Sequence, residues 1–160
     1  MQITENFVLI CPILASSLAP NLIYREQVQL VVRRNTLRVT LLMAAIGLFG
    51  AIILSLMAPF IVALVFGVRF QSSAGILQKL LLVSVLVFLE TGLNLYLVKY
   101  RAFRWLTIKW ICALAIAFLA DWLLIPTYQE MGAVIGYGLG YLVTIMGDLA
   151  YIILSKESNE

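Results

Sequence analysis

Apolar residues fall into five long runs, 7–24, 39–66, 74–98, 105–126 and 131–154, separated by short polar stretches. The runs are continuous rather than alternating. That pattern fits helices, each putting about 20 residues across a hydrocarbon core, and not the strands of a membrane β-barrel. The pattern predicts an all-α polytopic membrane protein of about five transmembrane helices, with 1–160 as a single membrane domain. The second run, about 28 residues and about 40 Å long as a helix, must tilt or project beyond the core. Pro59 near its end predicts a kink. The first run does not read as a signal peptide. Residues 1–6 include Glu5 but no Lys or Arg, and Pro20 follows directly on the Ser17/Ala19 pattern.

Composition supports the same class. Of the 160 residues, 63% are hydrophobic and 12% charged, and the mean hydropathy is +1.04. A soluble domain carries about 25% charged residues, so soluble enzymes and nucleic-acid binders are excluded. The net charge of +3 comes with no His, which removes the commonest general base and metal ligand. Cys11 and Cys112 sit inside apolar runs and read as buried free thiols.

Orientation follows from where the basic residues lie. Arg25, Arg33, Arg34, Arg38, Lys99, Arg101, Arg104 and Lys156 fall on one side of the predicted spans, and only Arg69 on the other. The positive-inside bias then predicts an external N-terminus and a cytoplasmic C-terminus. The 25–38 stretch reads as helix ends projecting into the cytosol or as a lipid-binding amphipathic helix.

Charges inside spans are costly, about 2.5–3.5 kcal/mol each at the centre. Glu90 is the deepest. Lys79, eleven residues earlier, returns to within about 20° of the same helix face, and Asn94 extends that face by a turn. Lys79 and Glu90 are about 16 Å apart along a straight helix, too far for an ion pair. The Lys79/Glu90/Asn94 stripe reads either as the wall of a substrate or proton pathway, or as buried interhelical hydrogen bonding with Lys79 snorkelling outward. Asp121 and Asp148 read as solvated or capped carboxylates near an interface, or as cavity-facing groups. Lys109 is expected to snorkel. Gly132, Gly136 and Gly140, spaced four apart, predict a face for close helix packing. No P-loop, metal cluster, cofactor fingerprint or nucleophile–base set is visible, and nothing points to an enzyme.

Three segments resemble the C-terminal part of bacterial polysaccharide-biosynthesis flippases, in the multidrug/oligosaccharidyl-lipid/polysaccharide exporter superfamily. One is Ala58-Pro59-Phe60-Ile61-Val62-Ala63-Leu64-Val65-Phe66-Gly67, followed by Phe70 and Ser73-Ala74. Another is Leu124-Ile125-Pro126-Thr127-Tyr128 with Gly132-Ala133. The last is the basic connector with Lys99, Arg101 and Arg104, where the family commonly carries Gly and Arg. Departures are Gln129 for a usual Gly, Val134 for a second Ala, and Asp121 for a common Asn. The likeness runs from about Pro12 to Leu154. It implies most of the second lobe of a two-lobe fold, spans eight to twelve of a twelve-span transporter, and hence an incomplete transporter.

The function so implied is part of a flippase for polyprenyl-diphosphate-linked oligosaccharides, in a multi-pass protein of the bacterial inner membrane. Its partners would be membrane lipid, the lipid-linked oligosaccharide, and a polysaccharide polymerase or chain-length regulator. By charge and position rather than by any family motif, Lys79 is the basic residue placed to meet the diphosphate, and Glu90 a proton or cation site if transport is coupled. Two alternatives remain open: a multidrug/cation exporter fragment of the same superfamily, using Glu90 with Tyr96 and Trp122, or a small non-transporting scaffold in a polysaccharide export complex.

Overall fold

A computed structural model describes residues 2–67 and 74–157. The described residues are almost entirely helical, and none forms a strand. Five stretches are long and apolar enough to cross a membrane: Ile3–Tyr24, Gln29–Val65, Ala74–Lys99, Phe103–Tyr128 and Glu130–Ser155. They match the five predicted runs. The clearest difference is in the second, where the helix begins ten residues earlier than the apolar pattern does. Arg69, Phe70 and Ser73 lie outside the described residues.

Prolines divide span one, and a tighter turn divides span three. Span one is built from α1 (Gln2–Val8), α2 (Ile10–Ala19) and a π-helical turn, Pro20–Tyr24. The break at Leu9 precedes Pro12, which has no N–H for the Val8 carbonyl and crowds it with its ring. The π turn starts at Pro20 for the same reason, since Pro20 cannot donate to Ser16. Span two is α3, Gln29–Phe66, 38 residues long and running on through Pro59. Arg33, Arg34 and Arg38 therefore lie in the first turns of α3 itself, not on a separate helix.

Span three is divided at Ser84 into α4 (Ala74–Val83) and α5 (Val85–Lys99). The Leu80 carbonyl accepts from both the Ser84 N–H at 2.9 Å and its hydroxyl at 2.8 Å, and the Val87 N–H closes a tighter turn onto the Ser84 carbonyl at 3.0 Å. Span four is α6, Phe103–Tyr128, and span five is α7, Glu130–Glu157.

Span three occupies the middle of the bundle. Of its most apolar window 56% is buried, against 17% for spans two and four. Phe88 and Tyr96 are fully enclosed, and Phe88 lies over Gly47 of α3, where any β-carbon would come within 2.6 Å of the ring. Outside, Leu56 (77% exposed) on α3 and Trp122 (70%) on α6 belong to long apolar faces. Such faces suit contact with lipid tails and would be untenable in water. The two thiols part ways: Cys11 is buried as expected, whereas Cys112 is exposed on α6. An apolar run does not distinguish a residue facing lipid from one facing a neighbouring helix.

A buried ion cluster between spans three, four and five

Glu90 and Asn94 stand one turn apart on α5, so their side chains leave the same face. Opposite them, α6 and α7 form an antiparallel hairpin in which small residues allow close approach. A β-carbon on Gly147 would lie 3.2 Å from the β-carbon of Lys109, and the Trp105 indole donates to the Gly147 carbonyl at 2.9 Å. The Lys109 stem is thereby held against the residue that precedes Asp148.

The result is a four-residue cluster drawn from three spans. Lys109 Nζ donates to Asp148 Oδ1 at 2.6 Å, to Glu90 Oε1 at 2.8 Å and to Asn94 Oδ1 at 3.3 Å. The Lys109 side chain is 2% exposed, that of Glu90 5% and that of Asp148 0%. Asp148 Oδ2 is buried with no hydrogen-bond partner among the described residues. Lys109 therefore does not snorkel. Two carboxylates and an amide provide what the membrane interface would otherwise supply. Asp148 is likewise enclosed rather than solvated.

Lys79 does not join this cluster. It is exposed, and its Nζ lies 3.4 Å from the Met131 sulfur. The polar stripe along span three is thus split. Glu90 and Asn94 turn inward onto Lys109, while Lys79, on the far side of the Ser84 break, faces outward.

The glycine face is accounted for by α6. A β-carbon on Gly132 would come within 2.6 Å of the Leu124 and Ile125 backbone. One on Gly140 would meet the Ala117 side chain at 3.3 Å, and one on Gly136 would collide with the Asp121 carboxylate. Asp121 is half-buried, and its Oδ1 has no partner among the described residues.

At the end of the bundle that carries the basic connectors, side chains tie spans together. The Lys99 ammonium donates to the Ile23 carbonyl at 2.6 Å and also to the Glu26 carbonyl, capping the open end of span one with a cation. The Gln29 amide reaches the Tyr96 hydroxyl at 3.3 Å and the Ser155 carbonyl at 3.2 Å. In the connector itself, burial first and then the neighbouring Tyr96 push the Tyr100 phenol up to about 12, so it stays protonated. Among the described residues, no three His, Cys, Asp or Glu side chains come together to hold a metal.

No family model matches the chain, and neither does any curated protein or solved structure.

Proposed function

We propose that the chain is part of a flippase that translocates polyprenyl-diphosphate-linked oligosaccharide units across a bacterial inner membrane for surface polysaccharide synthesis. The observation that carries this reading is the cluster of Lys109, Glu90 and Asp148 sealed inside a lipid-facing bundle. Ionisable groups at such depth are costly, and they characteristically mark substrate or ion pathways. The substrate class comes from the flippase-like segments around Pro59, Pro126 and Lys99.

In this reading the five spans form most of one lobe, with the N-terminus outside and the C-terminus in the cytoplasm. The substrate reorients between this lobe and a second one by alternating access. Lys79 is exposed and makes no ion pair among the described residues, which leaves its charge free for an anionic diphosphate. A polymerase or chain-length regulator receives the product on the outer side.

The test is restoration of surface polysaccharide in a flippase-null strain by the gene in its native coding context. Lys79→Ala should lose function, and Lys79→Arg should keep part of it, since Arg retains the charge and the phosphate hydrogen bonds. Full complementation by Lys79→Ala at normal membrane level removes Lys79 from substrate binding. No complementation by the parent gene removes the flippase reading.

One observation favours a second reading. Lys109 is saturated by three internal acceptors, as expected of a device that only locks three helices together. A non-transporting scaffold of an export complex would use the cluster in that way. It would show as polysaccharide export that depends on the protein yet survives every cluster substitution that still folds.

A further inference from the structure

We propose that the cluster binds one exchangeable proton, carried on Oδ2 of Asp148. Glu90 and Asp148 converge on the single ammonium of Lys109, and the third acceptor, Asn94, is neutral. With both acids ionised the cluster holds one surplus negative charge. Asp148 has a fully buried side chain, and its Oδ2 meets no donor among the described residues. A bare carboxylate oxygen in a low-dielectric interior is costly, whereas a neutral carboxyl is far less so. Protonation at Oδ2 leaves Oδ1 free to keep its bond to Lys109, and Lys109 with Glu90 then forms a neutral pair.

The described surroundings offer no second cation. Cys11 on α2 and Tyr141 on α7 interact with Glu90, and neither carries positive charge. On α3, Thr40 packs on Gly92 and Gly47 on Phe88, and neither Thr40 nor Gly47 titrates. Arg33, Arg34 and Arg38 of α3 make no ion pair among the described residues, and Lys79 of α4 points to Met131.

Lys109 lies about 9 Å from the start of α6 at the helical rise, and Asp148 about 10 Å from Ser155. Both helix ends adjoin the basic connectors, so water at that side is the source and sink of the proton. Loading forms the O–H bond at Oδ2 from a hydronium ion and takes the cluster from one negative charge to none. Release breaks that bond and returns the proton to water. No electrons move.

The inference names the coupling ion of the flippase reading and rests on that reading only for the use made of the proton. Infrared difference spectroscopy of the intact chain in lipid vesicles, titrated with pH in H2O and in D2O, tests it. A neutral carboxylic-acid C=O band should be present and should vanish as pH rises. It should be absent from Asp148→Asn and return in Asp148→Glu. Glu90→Gln removes the neighbouring negative charge and should weaken proton affinity about tenfold or more. A spectrum of Asp148→Asn identical to the parent's overturns the proposal. So does the absence of any neutral carboxyl band across the pH range in which the chain stays folded. Should Asp148→Asn fail to fold, an unchanged titration in Glu90→Gln overturns it equally. Complementation without the band refutes the proton site alone, and the band without complementation refutes the flippase alone.

Discussion

The side-chain amide of Gln78 donates to the backbone carbonyl of Ser55 at 3.0 Å, from span three to span two. Ser55 is the residue four before Pro59, and Pro59 has no N–H to return to it. A long helix can therefore keep a proline because a neighbouring helix supplies the missing donor, as membrane bundles commonly arrange.

Gln78→Leu should accordingly lower stability in detergent by about 0.6 kcal/mol, the average for interhelical hydrogen bonds in membranes, and by no more than about 1.7 kcal/mol. In a Pro59→Ala background the restored N–H can satisfy Ser55, so the same substitution should cost much less. Equal costs in the two backgrounds, measured by equilibrium unfolding, would show that the amide is not compensating for the proline.

The α6/α7 hairpin makes a second prediction. Gly136→Leu should sharply reduce folded yield, and Gly136→Ala should destabilise less, because either side chain must displace the Asp121 carboxylate. A β-carbon on Gly75 would meet nothing within 4 Å, so Gly75→Ala serves as the tolerated control. Thermal unfolding of the three variants in one detergent ranks them.

How legible this bundle is in sequence depends on whether a feature is local. Each apolar run needs only its own length to identify a span, and the five spans follow from that. The polar cluster joins three spans, and helical periodicity says nothing across a connector. The 100° arithmetic puts Lys79 on the face of Glu90 but cannot see the break at Ser84 or the approach of Lys109. Depth is the signal that links the true partners. Glu90 lies nine residues before Lys99, Lys109 six after Phe103 and Asp148 seven before Ser155, so opposite charges sit at similar levels. The start of α3 is hidden for another reason: its first ten residues mix Val and Leu with Arg and Gln, and no continuous apolar run marks them.

Backbone strain at the turn between α6 and α7 makes a third prediction. Gln129 has φ 50° and ψ −126°, a conformation that favours glycine. Gln129→Gly should raise stability by about 1 kcal/mol or more. An unchanged or lowered unfolding midpoint would mean that the Gln129 side chain contributes more than its backbone costs.

Orientation is tested by reporters. Fusions at Ser155 should read cytoplasmic, and fusions at Tyr128, Gln129 or Glu130 should read external, given the eight-to-one distribution of basic residues. A cytoplasmic reading at Tyr128 overturns the orientation.

Lys109 and Lys79 should behave in opposite ways. Lys109→Met leaves Glu90 and Asp148 buried without their shared cation, and breaking a buried pair from one side costs about 3–5 kcal/mol. Lys109→Arg should recover only part of this, because a planar fork does not fit a site shaped for three converging acceptors around one nitrogen. Adding Glu90→Gln and Asp148→Asn to Lys109→Met removes the stranded charges and should return much of the lost stability. Lys79→Ala, which gives up an exposed contact with a methionine sulfur, should leave unfolding within about 0.5 kcal/mol of the parent. Equilibrium unfolding in a single detergent compares all four. If Lys109→Met and Lys79→Ala prove equally mild, Lys109 is not the internal counterion of the cluster.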